Sequence, residues 1–439
     1  MTPTLVPVIL MVFCALGRGQ PNVLLILTDD QGFGDLSCRG NPILKTPRID
    51  ALESESLSFD RFYVSPVCTP TRAALMTGRL SQRTRAIDTW RGLAIMDPDE
   101  VTIAELLHGV GYTTGMFGKW HLGDSHPSRP MDQGFDHVLM HRGGGLGQPS
   151  DALGNRRRYT DPILYRDGEE VQTSGYCMDV YVDEAIGFME QAKREDRPFF
   201  AYVATNTPHG PFHDVPEDAY DTFRSLDLHD VSAQREHDDR VARVYAMVDN
   251  IDRNVGRLLD ALDRMDLADD TLVIYLHDNG PEVGFGRYNA GLRGSKGTVY
   301  EGGIRTPCFL RWPGHIEAGA TRSEIAQHVD LLPTIAEICG ASVPDDRAYD
   351  GRSLVPLLTG HDATWPERLL NVHAHRGAER IRRHHFAVIG QRYKVLSTSR
   401  FWDSAPTGDL SYELYDLEND PGETTDLASS LPDVLEDLI

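Results

Sequence analysis

Four short polar clusters each follow an apolar run directly. They are Asp29-Asp30, Gly118-Lys119-Trp120-His121, Asn206-Thr207-Pro208-His209 and His277-Asp278-Asn279-Gly280. Any one of them is ordinary turn or helix-cap chemistry; four at corresponding positions ask for another explanation. Asp29, Asp30 and Asp278 offer carboxylates, and Asn279 offers an amide oxygen. These are hard oxygen donors, which suit Ca²⁺ or Mg²⁺ better than zinc. The basic groups are Arg72, Lys119 and Lys296, the last within Gly294-Ser295-Lys296-Gly297, where the glycines let the backbone approach a ligand closely. With one divalent cation among the carboxylates, such a site is net positive and accepts a compact anion. Each donor aimed at a transferring group would then be worth about 3–4 kcal/mol in the transition state.

Cys68-Thr69-Pro70-Thr71-Arg72 opens an expected helix over residues 70–80, whose start would direct N–H groups at an anion. The same surroundings would favour a thiolate, so an unmodified Cys68 nucleophile is one chemical reading.

The apolar runs that must position these groups are 23–28 (VLLILT), 112–117 (YTTGMF), 198–205 (PFFAYVAT) and 271–276 (TLVIYL). Continuous apolar runs of this length suit fully buried parallel strands. Helical spacing marks 176–194, 234–265 and 330–339, and Thr102-Ile-Ala-Glu105 is a capping box for a short helix closing near Gly109. The alternation predicts an α/β fold, a large mixed and mostly parallel sheet sandwiched by helices. Ligands in such sheets bind beyond the carboxyl ends of the strands, where all four clusters fall. Short strand-like runs at 385–390, 393–397 and 412–417, then a helix over 432–439, predict a small C-terminal α+β subdomain with an antiparallel sheet. The expected organisation is a signal peptide at 1–19, a catalytic domain at 20–360 and the subdomain at 361–439.

The chain has 439 residues, of which 40% are hydrophobic and 25% charged, so it is neither disordered nor fibrous. Its net charge of −23 argues against a nucleic-acid partner, because phosphate neutralisation needs a basic surface. Residues 5–17 (LVPVILMVFCALG) are too short to span a bilayer but fit a signal-peptide core, with Ala15-Leu16-Gly17 as a cleavage site. No other apolar run approaches membrane length, so the expectation is a periplasmic or secreted protein with no membrane partner. The six cysteines are scattered without a CxxC pair and signal neither a zinc ribbon nor a disulfide framework.

The segments PNVLLILTDDQGFGDLSCRGNP, CTPTRAALMTGR, GYTTGMFGKWHLG, TPHGPF, HDNGP, GLRGSKGTVYEGGIRTP and ELYDLENDPGETTDLA together resemble the type I, formylglycine-dependent sulfatases of the alkaline-phosphatase-like superfamily. The resemblance runs from Pro21 to the C-terminus and implies sulfate-ester hydrolysis, on a sulfated saccharide or an aryl sulfate. It implies that a formylglycine-generating enzyme oxidises Cys68 before folding, giving an aldehyde whose hydrate attacks sulfur in line. One Ca²⁺ would be held by Asp29, Asp30, Asp278, Asn279 and the Cys68-derived oxygen. Arg72 and Lys119 would stabilise the hydrate, and Lys296 with His209 would grip sulfate. His209 would protonate the leaving alcohol, and His121 would act as base when sulfate is expelled. Thr71 stands where the family more often has Ser and keeps the hydroxyl. The alternatives are a phosphate or phosphonate ester hydrolase on the same scaffold, a catalytically silent carbohydrate-binding relative, and the thiol enzyme above.

Several signals carry less. Arg142-Gly-Gly-Gly145-Leu-Gly147 reads as a loop, since no strand–turn–helix context supports a nucleotide site. Arg156-Arg157-Arg158 and the run 376–385 are basic stretches in an acidic chain; a solvated face is the plain reading, and contact with a polysulfated chain the other. His373, His375, His384 and His385 lack metal-ligand spacing. Asp88, Trp90, Arg91 and His141 are expected in loops that contact sugar.

Overall fold

The computed structural model describes residues 19–89, 92–282, 286–360, 365–373, 384–397, 399 and 410–439. The expected signal peptide, Trp90, Arg91, His375 and most of the 376–385 run lie outside the described residues.

Ten strands form the main sheet, in the spatial order Thr321–Arg322, Leu57–Phe59, Cys308–Arg311, Thr271–His277, Asn22–Thr28, Phe199–Ala204, Thr113–Lys119, His137–His141, Ile163–Arg166 and Glu169–Gln172. The four expected strands are contiguous at its centre and mutually parallel, with registers such as Leu25 opposite Tyr202 and Ile274. Antiparallel neighbours close both sides, Cys308–Arg311 against Thr271–His277 and Ile163–Arg166 against His137–His141. The sheet is therefore mixed and mostly parallel.

Alternation along Asn22–Thr28 shows why its interior, Val23 to Leu27, is apolar throughout. Val23, Leu25 and Leu27 enter one core, while Leu24 and Ile26 enter another. Helices Cys177–Arg194 and Asp238–Arg264 cover the second face through residues including Tyr181, Met189, Ile251, Val255 and Leu262. The first face packs on Cys68–Thr77, Ile103–Gly109 and Leu331–Cys339. Thr102 and Glu105 make both hydrogen bonds of the capping box. Among the described residues no helix is long and apolar enough to cross a membrane.

A four-stranded antiparallel sheet follows, in the order Leu370–His373, Phe386–Ile389, Tyr393–Ser397 and Tyr412–Asp416, and Pro432–Leu438 is helical. This sheet does not close a core alone. Leu370, Val372, Ile389, Leu396 and Tyr415 pack with Tyr63, Val299, Ile304 and Ile325 from the larger part.

Two local expectations need correction. The helix at Cys68 runs Cys68–Thr77 rather than 70–80, so Cys68 is its first residue; Val67, the N-cap, supplies no side-chain cap that would mark the start. His141 is not in a loop but ends the strand His137–His141, buried and paired in register with Lys119.

Candidate active site

Backbone bonds knit the strand ends together: Asp29 N–H to the Thr207 carbonyl at 3.1 Å, Asp278 N–H to Thr28 at 2.9 Å and Thr205 N–H to Leu27 at 3.0 Å. The clusters thereby converge on one patch. Two turns there adopt left-handed backbone at non-glycine residues, Asp30 (φ 63°) and His121 (φ 56°), a conformation that costs of order 1–3 kcal/mol and gathers at functional sites. Gly118, at φ 117°, passes so near the neighbouring strand that a Cβ would lie 2.1 Å from the Ala204 carbonyl oxygen. Only glycine fits there, and it delivers Lys119 and His121 to the sheet edge.

Lys119 Nζ lies 2.6 Å from Asp29 Oδ2. Arg72 donates from Nε (3.1 Å) and Nη2 (2.8 Å) to Asp278 Oδ2, and from Nη1 to the Lys119 carbonyl at 2.8 Å. Asp278 Oδ1 accepts from the Asp30 backbone N–H at 3.1 Å. Asn279 Nδ2 donates to Asp30 Oδ1 at 2.8 Å, and Lys296 Nζ donates to Asp30 Oδ2 at 2.8 Å. His209 Nε2 is 3.8 Å from Asp30 Oδ2. Cys68 Sγ is 3.4 Å from His121 Nδ1, and one ligand atom each of Asp29, Cys68 and Asp278 fall within 4.8 Å of one another. The structure thus brings together all ten residues singled out in the sequence. The Thr71 hydroxyl donates to the Ser65 carbonyl (3.1 Å) and accepts from the Ser65 N–H (3.0 Å), which fixes the loop before Cys68.

Every carboxylate here is fully buried. Burial alone would raise the Asp29 pKa, but Lys119, then His209 and Arg72, hold it well below the usual range. Lys296 overrides burial at Asp30 and brings it to about 2. At Asp278, burial and the nearby Asp29 push the carboxyl well up despite Arg72. A divalent cation would reverse that last shift.

Two oxygens support such a cation. Asp29 Oδ1 and Asn279 Oδ1 are buried with no hydrogen-bond donor, a costly arrangement unless something positive completes it. Both belong to the hard-donor set, so the residues present fit Ca²⁺.

The histidines differ. His121 Nε2 lies 3.2 Å from the Thr89 carbonyl, which can only accept, so Nε2 carries the proton and the neutral ring turns its Nδ1 lone pair toward Cys68. Burial, then Lys119 and Arg72, push its pKa down to about 3. His209 donates from Nδ1 to the Gly210 carbonyl at 2.6 Å, leaving Nε2 to face Asp30; burial and Lys296 lower its pKa to about 4.

A family model described as Sulfatase matches residues 21–341, and one described as N-sulphoglucosamine sulphohydrolase, C-terminal, matches residues 294–434. The chain belongs to the sulfatase family. Human Arylsulfatase A is 34% identical to this sulfatase over 460 residues, covering 95% of this chain and 86% of that protein. The pig N-acetylgalactosamine-6-sulfatase is 33% identical, covering 80% and 69%. The crystal structure of Ps i-CgsB in complex with k-i-k-neocarrahexaose superposes with a TM-score of 0.82 at 29% identity, over 95% of this chain and 91% of that one. The sulfatase therefore sits within the alkaline-phosphatase-like superfamily.

Sequence reasoning missed three features of the site. Thr89 sets the His121 tautomer, though no side-chain signal marks a carbonyl. Glu282 brings a carboxylate oxygen within 4.8 Å of ligand atoms of Asp30 and His209; its place three residues after Asn279, in the same post-strand cluster, was the available signal. The third is a buried charge cluster behind the Lys296 loop. Lys394 Nζ lies 2.9 Å from Glu301 Oε1 and 2.8 Å from Glu423 Oε1, all with fully buried side chains, and the Glu301 N–H donates to Glu423 Oε2 at 2.6 Å. The peptide just beyond Glu301 is clamped between site elements. A Cβ on Gly280 would lie 1.9 Å from the Gly302 oxygen, and one on Gly303 2.6 Å from the Ser295 oxygen. Glu301 thus backs both the Asp278-Asn279 turn and the Lys296 loop. Of the residues considered earlier, His373 contacts Gln82, and the buried His384 and His385 directly precede the strand Phe386–Ile389, with His385 against the Gly297 backbone beside Lys296.

Proposed function

We propose that this sulfatase hydrolyses sulfate esters of carbohydrates in a periplasmic or secreted setting, with Cys68 converted to formylglycine and one Ca²⁺ held by Asp29, Asp30, Asp278 and Asn279. The observation that carries the reading is the pair of donor-less buried oxygens, Asp29 Oδ1 and Asn279 Oδ1, beside the first residue of the Cys68 helix. When present, the cation and the hydrated aldehyde supply a Lewis acid and an oxygen nucleophile. The chain's own side chains do the rest. Arg72 and Lys119 neutralise charge around the Cys68 position. His121, kept neutral by burial and two cations, accepts a proton at Nδ1 from a group on residue 68. Lys296 and His209 face the same space past Asp30 and grip sulfate oxygens; the negative charge of a bound sulfate ester favours a protonated Nε2 on His209, from which the leaving alcohol takes its proton.

A sulfated carbohydrate is supported by the printed names of relatives, one an N-acetylgalactosamine-6-sulfatase and one crystallised with a neocarrahexaose. Export is supported by the apolar run at 5–17. Cys68 is only 2% exposed, so a formylglycine-generating enzyme would meet it on the unfolded chain. The test has two parts. Peptide mass spectrometry of purified protein should find Cys68 lighter by the exchange of thiol for aldehyde, and kcat/KM should favour nitrophenyl sulfate over nitrophenyl phosphate. An unmodified thiol in fully active protein would overturn the nucleophile, and a much larger kcat/KM on phosphate would overturn the substrate class.

A further inference from the structure

Arg156, Arg157 and Arg158 are all exposed in a chain of net charge −23. Among the described residues Arg156 and Arg157 have no hydrogen-bond or ion-pair partner. Arg158 Nε lies 3.6 Å from Asp214 Oδ2, whose carboxylate is already engaged by the Tyr159 and Thr160 N–H groups at 2.8 and 3.0 Å.

The triplet is displayed on braced backbone. Arg156 (φ 45°) and Arg157 (φ 60°) are left-handed, a conformation that costs an arginine roughly 1–2 kcal/mol. Asn155 holds the turn by donating from Nδ2 to Asp151 Oδ2 at 2.7 Å and to the Ile163 carbonyl at 2.9 Å, while accepting the Ile163 N–H at 2.7 Å. On the other side the Tyr159 hydroxyl donates to the carbonyls of His209 and Gly210, at 3.0 and 2.9 Å.

These braces also fix where the triplet stands. A Cβ on Gly147 would lie 2.2 Å from Arg157 N, and one on Gly144 2.7 Å from the His121 ring. A single glycine loop therefore touches His121 at one end and the triplet at the other. Three residues of chain span at most about 10 Å and this segment turns, so the exposed triplet stands beside the active site, on the order of 10 Å or less of backbone from the His121 contact. Tyr159 ties the same segment to His209.

Arg156 and Arg157, which have no acidic partner among the described residues, make the local sign positive on an otherwise repulsive surface. Guanidinium groups present forked donors that match the oxygens of a tetrahedral anion. A single sulfate ester seated at Cys68 cannot use them, whereas sulfates on adjoining sugars can. We propose that Arg156, Arg157 and Arg158 form a docking surface for a polysulfated glycan, binding sulfates that flank the one hydrolysed. This rests on reading the site as a carbohydrate sulfatase.

The test uses full-length protein carrying Arg156→Asn, Arg157→Asn and Arg158→Gln; asparagine tolerates the left-handed backbone. A companion with lysine at all three positions keeps the charge. The readouts are kcat/KM on a polysulfated oligosaccharide and on its singly sulfated unit over a series of NaCl concentrations, with equilibrium binding of the polysulfated oligosaccharide in parallel. The neutral variant should lower the polysulfated-to-monosulfated ratio about tenfold, mainly through KM, and make the salt dependence of the polysulfated reaction shallower by about two in log–log slope. The lysine variant should keep most of the slope. An unchanged ratio and slope in the neutral variant, with wild-type binding, would overturn the proposal. If wild-type enzyme turned over neither substrate, the carbohydrate reading would fall, and the binding measurement would still decide whether the triplet holds a polysulfated chain.

Discussion

Replacing Lys394 by methionine probes how far the active site depends on a charge that never touches substrate. Lys394 is the cation between Glu301 and Glu423, and all three side chains have no exposed surface. Its removal leaves two carboxylates buried together, with Arg305, 3.7 Å from Glu301, as the remaining ion-pair partner among the described residues. Breaking a buried ion pair from one side costs about 3–5 kcal/mol. The loss should depend on pH. In the intact protein burial raises the Glu423 pKa to about 7, with Lys394 opposing and Glu301 assisting, against 4.5 for an ordinary glutamate. A carboxyl raised in the folded state contributes stability that is fully present below the unfolded pKa and lost as pH rises through the folded one. Without Lys394 the folded pKa moves higher still, so Lys394→Met should be nearly tolerated at about pH 5 and most damaging at about pH 8. Urea unfolding of wild type and variant at both pH values measures the difference, and adding Glu301→Gln and Glu423→Gln should recover most of it. Because Gly302 and Gly303 pack against Gly280 and Ser295, kcat in the single variant should fall at least tenfold, by misplacing Asn279 and Lys296. A loss under about 1 kcal/mol that is the same at both pH values would refute the reasoning.

Lys296→Ala should lower kcat by roughly 10²–10³ with an unchanged circular dichroism spectrum; wild-type turnover would remove Lys296 from the site. Gly118→Ala must place a methyl 2.1 Å from the Ala204 carbonyl at a positive φ, and should destabilise by about 3 kcal/mol or more in thermal unfolding. Chelation should abolish turnover, and Ca²⁺ at a hundred times its Kd should raise unfolding stability by about 2.7 kcal/mol. Asp29→Asn should erase most of that gain, and an equal Ca²⁺ effect in this variant would move the ion elsewhere.

The central strands were legible because a parallel strand buried on both faces must be apolar throughout, and Asn22–Thr28 feeds two cores. The clusters were legible because each ended such a run. The flanking strands Leu57–Phe59 and Cys308–Arg311 were not, since three or four residues give no period to read. Leu370–His373 escaped for the same reason. The Cys68 helix was placed two residues late because Val67 caps nothing. The hard-oxygen set was legible from residue chemistry, whereas the formylglycine expectation came from family resemblance alone, as no spacing reveals an aldehyde. Glu301, Lys394 and Glu423 were invisible, because charges so far apart in sequence declare a partnership only once the chain has folded.

That last cluster bears on how the enzyme comes into being. A chain growing from its amino end makes Asp29, Cys68, Lys119, Asp278 and Lys296 early, and Glu301 just after. Glu301's counter-charge arrives only with Lys394, and the second carboxylate only with Glu423, roughly ten seconds later at ~5–20 residues per second. Until then the nascent protein holds every proposed ligand without the lock behind Gly280 and Ser295. On the proposed conversion of Cys68, that interval would be the time in which a modifying enzyme meets the residue before the fold buries it.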